Sequence, residues 1–458
     1  MALSEPKKIA LLIAVLAGFI TPFDLSAVNI ALPTIGSEFS MDAVTLGWVA
    51  TAYLLASAVF LVPFGRLGDI QGRKKIFTAG LFVFTTASLV MVFSVSPAMI
   101  IFLRVVQGMG AALIFGNAVA ILTSVTPPHE RGKALGIYTT AVYLGLSMGP
   151  FLGGFLTGAF GWRSIFLVNV PLGILVLAII GTKMEGEWAD ARGESFDLPG
   201  SLLYGLALVS VMYGFSHLPA IPGVVLVLAG TVFLTGFVWW EYRTPVPLLN
   251  LSLFLKNRVF AFSNLAALIN YSATFSVTFF LSFYLQYNRG LSPAVAGTIL
   301  VIQPFVQAVF ASYAGKISDR IEPGKIASTG MAMTACGLFL LVFLEADTPY
   351  PYLIGILVLL GLGLAFFSSP NTNAIMSSVP KPYYGVASGT LGTMRLVGQM
   401  LSMGIAMVII SLFVGRVMIT PDVAARLLTG IHAGFALFAL LCCCGIYFSL
   451  VRGTVREE

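Results

Sequence analysis

Long apolar runs separated by short polar turns occupy the chain from end to end. A helix that crosses a membrane needs about 20 mostly apolar residues. Fourteen runs meet this requirement, near 9–32, 44–64, 76–95, 98–124, 134–158, 164–182, 198–216, 220–240, 259–285, 292–314, 326–345, 350–378, 384–413 and 428–451. The pattern therefore predicts an all-α polytopic membrane protein with fourteen spans.

The composition agrees with this reading. The 458 residues are 58% hydrophobic and only 10% charged, whereas a soluble domain carries about 25% charged residues. The net charge of +6 comes largely from lysines and arginines in short loops, so we expect no nucleic-acid partner. The four cysteines lie in apolar runs, which argues against a disulfide framework.

Basic residues are distributed unequally between the two sets of loops. Nineteen lysines and arginines, including Lys381 and Arg456, fall on the side of both termini, and four fall on the other side. Because cytoplasmic loops carry the excess of basic residues, we predict that both termini are cytoplasmic. The chain would then be integral to the cell membrane, with an even number of spans.

The chain also contains an internal repeat. The turn Gly65–Lys75 reads G-R-L-G-D-I-Q-G-R-K-K, and Gly315–Lys325 reads G-K-I-S-D-R-I-E-P-G-K. After a shift of 253 residues, eight of the thirty positions of Gln107–Gly136 are identical in Leu360–Gly389. We predict two pseudo-symmetric six-helix bundles, 1–182 and 256–458, joined by a linker, 183–255, with two extra transmembrane helices. Parallel repeats are typical of transporters whose site lies between the halves at mid-membrane.

Asp24 is the acidic residue that this pattern places inside a span. It lies about fifteen residues into the first run, which is roughly 22 Å along a helix. A carboxylate is costly at that depth, and intramembrane acids are functional by default. Asp24 is therefore a candidate proton carrier, and the alternative is a carboxylate that is permanently paired for structural reasons.

Two arginines also fall inside predicted spans. Arg104 is expected at a depth similar to that of Asp24. It would favour the ionised form of Asp24 when the two side chains are close and the protonated form when they are apart. Together they would form a two-state proton switch; the alternative is an arginine bonded to helix-end carbonyls. Arg395 lies in the middle of the thirteenth run, and its position indicates a function less strongly than that of Arg104.

The fifth run is rich in glycine. Residues Gly145–Gly158 contain small residues at spacings of four together with Pro150. Small residues let neighbouring helices approach closely, and proline bends a helix. This pattern predicts either a flexible seam between two helices that excludes water or ordinary tight packing. Gly145–Gly149 also matches the hydrolase pattern G-x-S-x-G, but that motif needs a strand–turn–helix context, so we predict no enzyme, no metal and no cofactor.

Amide and aromatic side chains in several spans are candidates for lining a substrate site. Such side chains suit amphiphiles and organic cations, although each one can equally be a packing residue. The candidates are Asn29, Asn264, Asn270, Tyr271, Phe275, Gln303, Gln307, Asn371 and Arg395.

Five stretches carry motifs of a known family. They are Gly65, Asp69, Gly72, Arg73 and Lys74 in the first turn; Asp24, Asn29, Ala31, Leu32 and Pro33; Arg104, Gln107, Gly108 and Gly110; Gly145, Gly149, Pro150, Gly153 and Gly154; and Trp162, Arg163, Phe166, Asn169, Pro171 and Gly173. With these motifs the chain resembles the major facilitator superfamily, in its fourteen-helix drug:proton antiporter type.

The resemblance implies a proton-coupled antiporter that exports amphiphilic small molecules by alternating access. The proton gradient would be its energy source, and we expect a monomer in the lipid bilayer. The first turn would act as a gating loop, and the fifth helix would mark an antiporter. Ile70 departs from the family, which usually has a basic residue there, so Asp69 is expected to pair with Arg73 or with a neighbouring helix end.

Two other functions stay open at this stage. One is a proton-coupled uptake carrier for a metabolite. The other is a non-transporting membrane receptor or lipid-handling scaffold.

Overall fold

The computed structural model describes residues 5–127, 130–249, 251–380 and 383–454, so Lys381 and Arg456 lie outside the described residues. Within these ranges the regular structure is helical. The helices are α1 (Glu5–Glu38), α2 (Ala43–Gln71), α3 (Arg73–Met91), α4 (Pro97–Val125), α5 (Arg131–Phe160), α6 (Arg163–Lys183), α7 (Leu198–Phe215), α8 (Ile221–Glu241), α9 (Leu251–Lys256), α10 (Arg258–Thr274), α11 (Val277–Phe283), α12 (Pro293–Leu300), α13 (Ile302–Ser318), α14 (Pro323–Leu341), α15 (Tyr350–Ser377), α16 (Tyr384–Phe413) and α17 (Ala424–Val451).

The predicted fold class is confirmed. Among the described residues, fourteen helical segments are long and apolar enough to cross a membrane. The ninth combines α10, α11 and a π-helical turn at Tyr284–Asn288, and the tenth combines α12 and α13. The chain is therefore an integral membrane protein.

The ninth span differs from its sequence pattern, which reads as one continuous run. The structure interrupts it at Phe275 and Ser276, between α10 and α11. There the backbone N–H of Ser276 donates to Ser402 Oγ over 3.0 Å, and the two serine hydroxyl oxygens lie 2.9 Å apart. Because the partner hydroxyl is 126 residues away along the chain, the local sequence gives no sign of the interruption.

The chain divides into two compact units. Unit 1 comprises Met1–Met41, Trp48–Val211 and Ala229–Leu248, and unit 2 comprises Asp42–Gly47, Met212–Leu228 and Leu249–Glu458. In unit 1, α1 packs on α5, and α3 packs on α4 and α6. In unit 2, α14 packs on α15 and α17. The internal repeat makes α3 equivalent to α14 and α4 equivalent to α15.

Candidate functional site

Asp24 lies in the middle of α1 and is completely buried. Its carboxylate accepts three hydrogen bonds from other helices. Arg104 Nη1 donates to Oδ2 over 2.5 Å, while Gln107 Nε2 and Asn169 Nδ2 donate to Oδ1 over 3.1 Å and 2.8 Å. Both oxygens of this carboxylate therefore have hydrogen-bond donors, and one of these donors is a charged guanidinium.

Arg104 connects this carboxylate to α2. Its Nε donates to the carbonyl of Val49 over 2.9 Å, and its guanidinium carbon lies 4.3 Å from the centre of the Tyr53 ring. Nη1 also donates to Gln107 Oε1 over 2.6 Å. Arg104 thus pairs with the carboxylate and at the same time bonds a backbone carbonyl inside α2.

The network extends to two further helices. Gln107 Nε2 also donates to Ser88 Oγ in α3 over 2.9 Å, and Asn169 belongs to α6. Both amides were recognised only as motif residues, not as partners of Asp24. For Gln107 the spacing R-x-x-Q was a usable sign, because it places Gln107 one helical turn after Arg104. No local pattern connects Asn169 with Asp24, which lies 145 positions earlier.

The glycines of α5 pack directly against the part of α1 that carries Asp24. A Cβ atom on Gly149 would lie 1.8 Å from Ser26 Oγ, and one on Gly145 would lie 2.4 Å from the carbonyl oxygen of Phe19. At Gly153 it would lie 2.7 Å from the Cβ of Ala27. Any larger residue would therefore push α1 and α5 apart. Pro150 and Gly154 are buried in the same helix.

The turn between α2 and α3 contains the expected pair of Asp69 and Arg73. Arg73 Nη2 lies 2.6 Å from Asp69 Oδ1, and Arg73 Nη1 donates to Ser124 Oγ over 2.7 Å. Gly72, between the two helices, has a φ of +117°, a conformation that favours glycine. Gly65 approaches Gly116 of α4, where a Cβ atom would still have 3.8 Å to the nearest carbonyl oxygen.

A segment after α6 covers this turn, and we call Met184–Glu194 the strap. The strap joins the turn by backbone hydrogen bonds: Arg73 N–H donates to the carbonyl of Trp188 over 2.8 Å, and Ala191 N–H donates to the carbonyl of Asp69 over 3.0 Å. The sequence predicts only that this segment begins the linker 183–255. The structure shows that its first part is fixed to unit 1.

Side chains of the strap bond the backbone at the beginning of α3 and pair with the arginines of the turn. Glu187 accepts the backbone N–H groups of Lys74 and Lys75 over 2.8 Å and 3.1 Å, at the beginning of α3. Asp190 Oδ2 lies 2.8 Å from Arg73 Nη1, and Glu194 pairs with Arg66. A carboxylate at a helix N-terminus is favourable because of the helix dipole and the free N–H groups.

The proposed substrate residues belong to several helices. Asn29 is buried in α1 of unit 1, while Asn264 and Asn270 are buried in α10 of unit 2. Among the described residues, neither side-chain polar atom of Asn270 has a hydrogen-bond partner. Tyr271 and Phe275 lie partly buried beside the interruption between α10 and α11.

The other candidates lie on later helices of unit 2. Gln303 and Gln307 are both buried near the beginning of α13, and Arg395 is partly buried in α16. Asn371, in α15, has two bonding partners: its Oδ1 accepts from Arg452 Nη1 over 2.8 Å, and its Nδ2 donates to the carbonyl of Ser263 over 3.0 Å. The second contact places Asn371 beside the part of α10 that carries Asn264.

In the part of the chain that the structure describes, no group of three or more His, Cys, Asp or Glu side chains is arranged to hold a metal ion. The chemistry of the buried network is that of hydrogen bonding and a single ion pair. Among the described residues, this network offers no nucleophile next to a base.

Comparison with known proteins identifies relatives along nearly the whole chain. The riboflavin transporter RibZ of Clostridioides difficile is 33% identical over 392 residues, which is 85% of each chain. The multidrug resistance protein Stp of Mycobacterium tuberculosis is 32% identical over 389 residues, covering 83% of this chain and 72% of that protein. Because these relatives are transporters, the prediction that the chain is not an enzyme is confirmed.

Solved structures agree on the fold. A bacterial homologue of the human lysosomal transporter Spinster, solved in an inward-facing and unoccupied conformation, superposes with a TM-score of 0.72 at 15% identity and covers 98% of both chains. The family model of the Major Facilitator Superfamily matches residues 14–403 and 263–457. The fourteen spans, the motifs and these matches together place the chain in the Major Facilitator Superfamily of membrane transporters.

Proposed function

We propose that the chain is a proton-coupled antiporter that exports amphiphilic small molecules by alternating access. The observation that carries the proposal is the buried ion pair of Asp24 and Arg104, embedded in a network that reaches α1, α2, α3, α4 and α6. The similarity to a protein named for multidrug resistance supports the direction of transport and the class of substrate.

The network gives proton binding a mechanical consequence. A proton on Asp24 Oδ2 removes the negative charge that balances Arg104, while Arg104 keeps its bonds to Val49 and Gln107. Removing one partner of a buried ion pair costs about 3–5 kcal/mol. The protonated and ionised forms of Asp24 therefore favour different arrangements of α1 and α4, and this difference couples the proton to the conformational cycle.

The seam between α1 and α5 supplies a surface along which α1 can adjust. Glycine backbones at Gly145, Gly149 and Gly153 meet α1 without interlocking side chains, and Pro150 removes one helical hydrogen bond in the same stretch. Close packing of this kind leaves no room for water. We propose that the seam admits movement of α1 without opening a path for protons to leak.

Uncharged polar groups of unit 2 fit a substrate with little charge. The buried amides Asn264 and Asn270, with the rings of Tyr271 and Phe275, offer hydrogen bonds and aromatic faces but no carboxylate. Such contacts contribute about 0.5–2 kcal/mol each. Neutral amphiphiles and monocations are the substrates that this set of side chains suits.

The substitution Asp24→Asn tests the proposal. In proteoliposomes with an imposed pH gradient, we expect the variant to lose uphill export while it remains folded and inserted, because an amide cannot carry the proton. Asp347→Asn is the matched control, since Asp347 is exposed in a loop. Uphill export by Asp24→Asn at the wild-type rate would refute the role of Asp24.

Uptake of a metabolite is the second candidate function. The relative RibZ, a riboflavin transporter that is 33% identical, is the observation that favours it. The direction of flux decides between the two functions. With the same substrate in vesicles of known orientation, an antiporter moves substrate against the direction of the proton flow, and an uptake symporter moves it along with the protons.

A further inference from the structure

A groove of about 570 Å³ lies between α3 and α6 in unit 1, at the end of α3 next to the Gly65–Lys75 turn. Lys74 and Lys75 line one end of it. Ala79, Phe82 and Leu177 line its apolar wall, and Glu187 of the strap closes it beyond the helix end. Neither the ion pair of Asp24 nor the proposed substrate residues contribute to this groove.

The two ends of the groove differ in chemistry. Phe82 is 61% exposed, and Ile174 and Leu175 on the neighbouring α6 are also exposed. In a helix that spans a bilayer, such outward apolar side chains face lipid acyl chains. The groove therefore connects a hydrocarbon-facing wall with a pair of ammonium groups at a span end, and its occupant must be an amphiphile with an anionic head.

The lysine charges remain available for such a head. Glu187 accepts the backbone N–H groups of both lysines, so the helix N-terminus itself is already satisfied. The ammonium of Lys74 donates to the carbonyl of Met184, which is a neutral acceptor. Among the described residues, the ion pairs of the turn involve Arg66 and Arg73 rather than these lysines.

The second copy of the turn lacks this pair of lysines. In the ungapped alignment of the two turns, Gly324 stands in place of Lys74, and Lys325 in place of Lys75. Arg452 packs over Gly324, where an added Cβ atom would lie 2.9 Å from its Nε. The basic, open arrangement is thus specific to the first copy, although both copies have the same turn pattern.

We propose that the groove between α3 and α6 binds an anionic phospholipid, with its phosphate between the ammonium groups of Lys74 and Lys75 and an acyl chain along Ala79, Phe82 and Leu177. Basic pockets between helices at the cytoplasmic side recognise anionic head groups in this way. Gly186 and Glu187 of the strap also line the groove, and the Glu187 carboxylate is already held by the N–H groups at the beginning of α3.

Thermal unfolding of the full-length protein in a neutral detergent tests the proposal. Phosphatidylglycerol is titrated against phosphatidylcholine with the same acyl chains, and against inorganic phosphate. We expect phosphatidylglycerol alone to raise the unfolding temperature with saturation. Lys75→Gln should increase the half-saturating lipid fraction about fivefold. A lysine near an anionic surface contributes about 1 kcal/mol of binding free energy, which corresponds to about a fivefold change in affinity.

Two further variants make the result specific. Lys325→Gln is the matched control, because it removes the equivalent exposed lysine from the second copy, and it should respond to phosphatidylglycerol as the wild type does. Phe82→Gln should weaken the response by altering the apolar wall while both lysines remain. Native mass spectrometry provides a direct count of bound lipid for the same set of variants.

Three outcomes would overturn the proposal. Equal stabilisation by phosphatidylcholine would show that head-group charge is irrelevant. The same shift with inorganic phosphate alone would show a site for free anions and not for lipid. A response of Lys75→Gln equal to that of Lys325→Gln would place the lipid elsewhere. None of these results depends on transport, so they are independent of the proposed export function.

Discussion

Among the described residues two arginines are completely buried, one in each unit, and they are held in opposite ways. Arg104 in unit 1 faces the carboxylate of Asp24 over 2.5 Å. Arg452 in unit 2 faces a hydroxyl and an amide, Ser263 Oγ over 3.1 Å and Asn371 Oδ1 over 2.8 Å. A buried charge is costly unless it is paired, so the two units treat the same side chain very differently.

The pairing in unit 1 depends on a group that can lose its charge, whereas that in unit 2 does not. Among the described residues, Nε and Nη2 of Arg452 have no hydrogen-bond partner. Burial lowers the pKa of Arg452 to about 10, and the nearby Glu322 opposes this shift. The comparison teaches that the buried charge of Arg104 is balanced by a carboxylate, whereas the charge of Arg452 is bonded by neutral groups.

The largest effect is expected from Arg104→Gln. It leaves Asp24 buried without a cation, which costs about 3–5 kcal/mol, so the unfolding temperature should fall and uphill export should be lost. The double variant Asp24→Asn with Arg104→Gln should recover much of the stability but none of the coupled transport. Thermal unfolding and proteoliposome flux measure the two quantities, and Arg320→Gln, an exposed arginine, is the control. A double variant as unstable as Arg104→Gln would contradict the ion-pair argument.

Charge selectivity extends the comparison to the substrate. In the main part of unit 2, Leu249–Glu458, the described acidic residues lie in loops or at helix ends. They are Asp319, Glu322, Glu345, Asp347 and Asp422. A dication taken out of water beside one carboxylate keeps an unbalanced charge, at a cost of several kcal/mol. We expect a mono-quaternary compound to be exported at least about tenfold faster than the bis-quaternary compound of the same scaffold. Equal rates would show an acidic group in the substrate path.

Much of the fold followed from the sequence because apolar length alone identifies a span. Asp24 was also identifiable, because a carboxylate inside an apolar run is unusual even when its partners are unknown. Its partners Gln107 and Asn169 were not assigned, because they lie 83 and 145 residues away and only packing brings them together. The interruption of the ninth span was missed for the same reason, as Ser402 supplies the competing acceptor.

A substitution in the strap is expected to have a smaller effect on stability than Arg104→Gln, and this effect is confined to unit 1. Glu187→Ala removes the carboxylate from the first N–H groups of α3, and the loss of such a helix cap costs about 1 kcal/mol. We expect a lower unfolding temperature than in Glu185→Ala, which changes an exposed acidic neighbour in the same strap. Identical unfolding temperatures for the two variants would argue that Glu187 does not hold the turn.

The smallest effect is expected from Arg452→Gln. Glutamine keeps an amide donor for Asn371 and removes a charge whose burial is only partly compensated, and replacing buried ionic groups is often neutral. The free energy of unfolding should stay within about 1 kcal/mol of the wild type, in contrast to Arg104→Gln. Denaturation in the same detergent compares the two variants directly, and a loss as large as that of Arg104→Gln would remove the distinction between the two arginines.

The strap also determines how early during synthesis the first turn can be closed. Every residue of the turn that it contacts, from Arg66 to Lys75, precedes it in the chain. Domains fold as units while the chain emerges from the ribosome. The first turn can therefore be closed once Glu194 has emerged, before the main part of unit 2, Leu249–Glu458, has been made. The cluster of Arg452, in contrast, cannot form until Arg452 has been made, long after its partners Ser263 and Asn371.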